Sequence, residues 1–98
     1  MWILRSTEAE GALTFRLPVG IVKTIGRSAG ADFIVDVALV SRLHCQVTAG
    51  ETKIDVEDMS STNGTFVNDR RVERGQLASG DRLRVGRVEL TVERQSQP

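Results

Sequence analysis

Hydrophobic and polar residues alternate with period two over short stretches of this chain. Leu13, Phe15 and Leu17 fall on one face of an extended segment, with Thr14 and Arg16 on the other. Leu43, Cys45 and Val47 alternate with His44, Gln46 and Thr48, and Ile54 and Val56 alternate with Lys53, Asp55 and Glu57. Leu83 and Val85 alternate with Arg82 and Arg84, and Val88, Leu90 and Val92 with Glu89, Thr91 and Glu93. Segments with one apolar and one polar face predict antiparallel sheets packed face to face. No window long enough for a helix carries a helical period. Turn residues break the pattern at regular intervals: Glu10-Gly11, Gly26 to Gly30, Ala49-Gly50, Asn63-Gly64, Asn68-Asp69, Gly75, Ser79-Gly80-Asp81 and Gly86. That spacing predicts a β-sandwich or barrel of about ten strands.

Composition sharpens this picture. Val, Ile and Thr supply 25 of the 98 residues and glycine another nine, a mixture suited to short strands and tight turns. The length fits one domain, expected over residues 1–94, with 95–98 a polar C-terminal tail or the start of a linker. Thirteen basic and 13 acidic residues give a formal net charge of zero, which argues against nucleic-acid binding by bulk electrostatics but leaves room for a local anion site. A single cysteine and a single histidine exclude a disulfide framework and a structural zinc site. No apolar run approaches the ~18 residues of a membrane span. The first residues, apolar and then acidic, do not read as a signal peptide. The expectation is a cytoplasmic protein with no metal or cofactor and no nucleic-acid or membrane partner.

A catalytic reading meets obstacles. Ser41, His44 and Asp58 form a triad on paper, but strand alternation sends Ser41 and His44 to opposite faces unless the strand starts irregularly. There is no Gly-x-Ser-x-Gly elbow, and Cys45 shares an apolar face with Leu43 and Val47, so it reads as a small buried hydrophobe. The expectation is not an enzyme. What remains is a set of polar residues at strand ends: Arg27 after Gly26, Ser41 and Arg42 before His44, and Thr62 and Asn63 within Ser60 to Thr65. All five can donate hydrogen bonds. If their three loops share one end of the sandwich, they form a cationic, donor-rich pocket whose natural ligand is a tetrahedral oxyanion. Taken singly, each has a plainer reading: a solvated turn for Arg27, a strand start for Ser41, a loop-bridging role for His44, and a turn in which Asn63-Gly64 supplies left-handed φ values.

Together, in order, these residues resemble the forkhead-associated (FHA) domain family. The matching segments are Gly26-Arg27, then Val40-Ser41-Arg42-Leu43-His44-Cys45, then Glu57 to Asn68 containing Ser60-Ser61-Thr62-Asn63-Gly64-Thr65, and a trailing Leu77, Gly80-Asp81, Leu83, Val85-Gly86. The likeness runs from about Met1 to Glu93. It implies an all-β fold, a two-sheet antiparallel β-sandwich of about eleven strands with binding loops at one end. It also implies an adaptor in Ser/Thr kinase signalling that binds phosphothreonine-containing proteins. By the same resemblance, Arg27, Ser41 and Thr62 contact the phosphate, Arg42 faces it, and Asn63 holds the peptide backbone just after the phosphothreonine. Gly26, His44, Gly64, Thr65 and Asn68 shape the loops. Asp69 stands where the family commonly has glycine; aspartate tolerates left-handed φ, so the turn is expected to survive. The uncharged loop Val37-Ala38-Leu39-Val40 implies an apolar or undemanding preference three residues after the phosphothreonine. Two alternatives stay open: a phosphate-independent scaffold of the same fold, and self-recognition of a phosphorylated Thr7.

Overall fold

The computed structural model describes residues 1–6 and 12–95. Thr7, and with it the self-recognition reading, lies outside them, as do the last three positions of the expected tail. Eleven strands build the fold: β1 (Trp2–Ser6), β2 (Leu13–Leu17), β3 (Val22–Gly26), β4 (Phe33–Ile34), β5 (Cys45–Ala49), β6 (Ile54–Asp58), β7 (Thr65–Val67), β8 (Arg70–Val72), β9 (Arg74–Leu77), β10 (Arg82–Val85) and β11 (Val88–Arg94). They form one sheet in the order β2-β1-β11-β10-β7-β8 and a second in the order β4-β3-β5-β6-β9. The expected two-sheet sandwich is what forms. Every pairing is antiparallel except β3 with β4, where Ile25 and Gly26 lie parallel to Phe33 and Ile34. With only two residues, β4 is too short to show alternation, so sequence pattern had no access to its direction.

The apolar rows face each other. Trp2, Leu4, Leu17, Leu83, Val85, Val88, Leu90 and Val92 come from the first sheet, and Ile25, Cys45, Val47, Ile54, Val56 and Leu77 from the second; all are buried. Two contacts fasten the sheets at their margins. The Trp2 indole Nε1–H donates to the Gly50 carbonyl at 2.8 Å, and the rings of Phe15 and Phe33 stack 4.7 Å apart. The Cys45 thiol is held in this core, where burial and then the Asp58 carboxylate opposite it push its pKa up to about 12, so it carries no thiolate at neutral pH.

The alternation expected for the strand after Ser41 fails at its first residues. Leu43 is 41% exposed, whereas His44 is fully buried. The strand begins only at Cys45; the preceding residues form a bend in which the His44 amide donates to the Ile25 carbonyl. That bend rotates the chain by one position, carrying the imidazole inward.

Topology then places the loops. β3 ends, β5 begins and β6 ends at the same edge, through the pairs Ile25–Cys45 and Cys45–Asp58. The chain leaves β6, crosses to the other sheet and starts β7 there, beside the end of β10 through Thr65–Val85. The loops over 27–32, 35–44 and 59–64 therefore share one end of the sandwich.

Leu83 and Leu90 are cross-strand partners and neither is exposed. Leu90→Ala is expected to destabilise the fold by roughly 2–5 kcal/mol. Val22→Ala, at a position 48% exposed, should change stability by no more than about 0.5 kcal/mol. Urea denaturation of the two variants checks both.

Candidate functional site

Backbone hydrogen bonds zip two of the three loops together. Arg27 N–H donates to the Ser41 carbonyl at 2.9 Å, and Ser28 N–H to the Arg42 carbonyl at 3.2 Å. The approach is so close that a Cβ on Gly26 would overlap the Arg42 carbonyl oxygen. Glycine is required here for space alone.

The third loop is tied in through His44. Ser41 N–H donates to His44 Nδ1 at 3.0 Å, so Nδ1 carries no proton. Nε2 lies 2.7 Å from the Gly64 carbonyl, an acceptor, so Nε2 carries the proton and donates. His44 also accepts from Met59 N–H through its carbonyl at 2.9 Å. One buried neutral imidazole thus joins the loop before β5 to the loop before β7.

Asp58 buttresses that second loop from below. Its carboxylate accepts from Ser61 N–H at 3.1 Å, from the Ser61 hydroxyl, and from the Thr65 hydroxyl at 2.7 Å. Ser61 Oγ in turn accepts from Gly64 N–H at 3.0 Å. Burial pushes the Asp58 carboxyl up, but the hydrogen bonds from Ser61 and Thr65 outweigh it and hold the carboxyl below its ordinary range. Within the loop Ser60 and Gly64 take the left-handed φ values, +56° and +92°. Asn63 does not, so the simple turn reading of Asn63-Gly64 holds only for the glycine.

The structure brings Arg27, Ser41, Arg42, Thr62 and Asn63 to a shallow depression of about 620 Å³, whose remaining lining is Asp36, Ala38, Leu39 and Val40. Each of three side chains is anchored by one group and presents another. Arg27 Nε donates to the Val40 carbonyl at 3.0 Å, leaving its terminal nitrogens outward. Ser41 Oγ accepts from Thr62 N–H at 3.0 Å, leaving its hydroxyl hydrogen for a ligand. Asn63 Nδ2 donates to the Leu39 carbonyl at 2.9 Å, leaving Oδ1. Leu39 sits at a φ of +75°, a strained value for leucine, with Gly86 packed against its carbonyl.

Sequence reasoning gave Asp58 and Ser61 no such role, although an Asp-x-x-Ser spacing is a recognisable side-chain turn signal. The conformation of Leu39 had no signal at all. Asn68 lies outside the cluster. It occupies the turn between β7 and β8 with Asp69, at φ values of +48° and +69°, and its Oδ1 accepts from Arg82 N–H at 2.9 Å. This is the opposite end of β7 from Thr65, so Asn68 shapes that hairpin and not the loops around Ser41. Asp69 does keep the turn left-handed, as expected. The paper triad does not form: His44 Nδ1 faces the Ser41 amide, not its hydroxyl, and Asp58 is committed to Ser61 and Thr65. Among the described residues no cluster of His, Cys, Asp or Glu is placed to hold a metal, and no helix is long and apolar enough to cross a membrane.

A β-sandwich with three loops gathered at one end around a donor-rich depression belongs to a recognisable class of binding module. The FHA domain profile matches residues 23–86, and the chain belongs to that family. It is 38% identical over 82% of its length to the ABC transporter ATP-binding/permease protein Rv1747 of Mycobacterium tuberculosis, and spans 9% of that protein. It spans 43% of the glycogen accumulation regulator GarA of the same organism, to which it is 33% identical over 70% of its own length. Among solved structures it resembles the FhaA FHA domain complexed with the intracellular domain of Rv3910, with 34% identity, a TM-score of 0.83, and coverage of 95% of this chain and all of that one.

The Asp58 contacts predict a pH signature. Because the folded-state value is lowered, the stability Asp58 contributes is complete above the ordinary aspartate value near ~3.9 and is lost as pH falls through the folded value. Asp58→Asn should be less stable than the parent by roughly 1–3 kcal/mol at pH 7. The gap should narrow on acidification below pH ~4, measured by thermal melts across pH.

Proposed function

We propose that this chain is a phosphothreonine-dependent protein-binding module, an adaptor in Ser/Thr kinase signalling. The observation that carries the reading is the set of outward groups around one depression: the terminal nitrogens of Arg27, the Ser41 hydroxyl, Thr62 and Arg42, each at a loop position fixed from behind. A phosphothreonine carries about −1.5 to −2 charge near neutral pH and three strong acceptor oxygens. Arg27 meets it with a planar guanidinium fork, Ser41 and Thr62 with hydroxyls. Asn63, anchored to Leu39, presents Oδ1 to a peptide N–H just after the phosphothreonine. The loops are already held, so little ordering cost falls on binding.

Leu39, 48% exposed at the rim, and Ala38 beside it offer an apolar contact to the residue three places after the phosphothreonine. The one carboxylate lining the depression, Asp36, disfavours acid at its own edge. The partner is a phosphorylated protein, a Ser/Thr kinase or its substrate, met in the cytoplasm. The chain contributes binding and no catalytic step.

Calorimetric titration with a degenerate phosphothreonine peptide pool tests the reading. Micromolar binding, near −8 kcal/mol, is expected, with none to the unphosphorylated pool. Arg27→Ala should weaken it by about thirtyfold or more. Affinity should also fall as pH drops below ~6, where the phosphate loses its second charge. Equal binding to the unphosphorylated pool, unaffected by Arg27→Ala, would instead indicate a phosphate-independent scaffold.

A further inference from the structure

On the outer face of the first sheet, one cross-strand row runs Arg71, Phe66, Arg84, Glu89 across β8, β7, β10 and β11. The Arg84 guanidinium lies over the Phe66 ring, 3.9 Å from its centroid. It makes no ion pair with Glu89, its half-buried cross-strand neighbour. Arg71 reaches the other way. Its Nε and Cζ come within 2.8 and 3.1 Å of the point a Cβ on Gly64 would occupy, and Phe66 Cε1 within 3.2 Å of the same point. The glycine therefore leaves the space that the Arg71 guanidinium fills against the binding loop, at the residue that follows Asn63.

On this sheet Arg5 and Arg82 have carboxylate partners in Glu93 and Asp69. Arg71 and Arg84 have none among the described residues, and they differ from other unpaired arginines of the sheet, such as Arg16 and Arg70, in flanking the Phe66 ring in the cross-strand row. Stacking holds a guanidinium's plane while leaving its edge N–H groups free, which suits it to bind carboxylate or phosphate oxygens. The row is continuous with the depression through Gly64 and Asn63.

We propose that Arg71, Phe66 and Arg84 form a second anion-binding surface. Its occupant is an acidic or further phosphorylated segment of the same phosphothreonine-bearing partner, passing over Gly64. This rests on the phosphothreonine reading above and extends it from one residue to a stretch of partner chain. The surface selects charge through two guanidiniums rather than one residue type through a pocket, and long-range screening acts on it more than on the depression.

The test uses three phosphothreonine peptides with one core and leucine three places after the phosphothreonine. One carries a four-glutamate run beyond that leucine, one carries the run before the phosphothreonine, and one has glutamines throughout. Binding is measured by fluorescence anisotropy at 20 mM and 500 mM NaCl. One of the glutamate peptides should bind about fivefold tighter than the glutamine peptide at low salt, the scale of two partly exposed ion pairs. The advantage should fall below about twofold at high salt. Arg84→Gln should remove the advantage while leaving the glutamine peptide's affinity unchanged. Arg84→Glu should reverse it, so that the glutamate peptide binds more weakly than the glutamine one. Arg27→Ala should weaken all the peptides. If the glutamate and glutamine peptides bind equally but still depend on Arg27, the surface is refuted and the phosphothreonine reading stands. If the advantage persists in Arg84→Gln with an unchanged melting temperature, the assignment to this row is wrong. If no peptide binds in a phosphate-dependent way, both readings fall together.

Discussion

The binding end of this sandwich depends on one buried neutral imidazole. His44 accepts from the Ser41 amide on one ring nitrogen and donates to the Gly64 carbonyl from the other. The two loops leave the paired strands β5 and β6, but the second crosses to the other sheet at β7, and no strand ladder fixes Gly64 against Ser41. The imidazole does so with two directional bonds from a fully buried ring, where each is stronger than at the surface. Removing it would leave a buried amide and a buried carbonyl without partners, a larger loss than the bonds themselves.

From that bridge outward, the loop chemistry follows one rule: each polar side chain is fixed by one group and offers another. Arg27 is held at Nε, Ser41 by accepting from Thr62, and Asn63 by donating to Leu39. Asp58 supports the same loop through Ser61 and Thr65 and spends its acceptors inward, so it does not oppose an anion at the surface. The donors face outward before any ligand arrives. Oriented donors gain affinity by avoiding reorganisation, and that explains why a shallow depression suffices for a highly charged, compact ligand. The strained Leu39 fits this frame, since its carbonyl must point at Asn63 for the asparagine to be held.

Much of this was legible in the sequence, for identifiable reasons. Alternation located β2, β6, β10 and β11 because each packs one face on a single core and the other in water. It failed at Leu43 and His44, where a bend breaks the period and buries a polar ring that only its two partners make tolerable. The residues at the depression were legible as donors at strand ends, yet their convergence was not. It depends on the chain crossing between sheets from β6 to β7, which no local spacing encodes. Asn68 was placed with the wrong loop because β7 is only three residues long, so nearness in sequence to Thr65 hid that it lies at the other end of the strand. Arg71 escaped notice for the complementary reason: distant from Gly64 in sequence, it is brought there by the β7–β8 hairpin.

His44 bridges the loops as a neutral ring protonated on Nε2. Long-range ¹⁵N–¹H correlation NMR of the imidazole reads this directly. The bridge requires an unprotonated Nδ1 shifted downfield and a protonated Nε2, unchanged when a phosphothreonine peptide is added. A ring protonated on Nδ1, or one averaging between tautomers, would contradict it, because the Ser41 amide and the Gly64 carbonyl could not then both be bound.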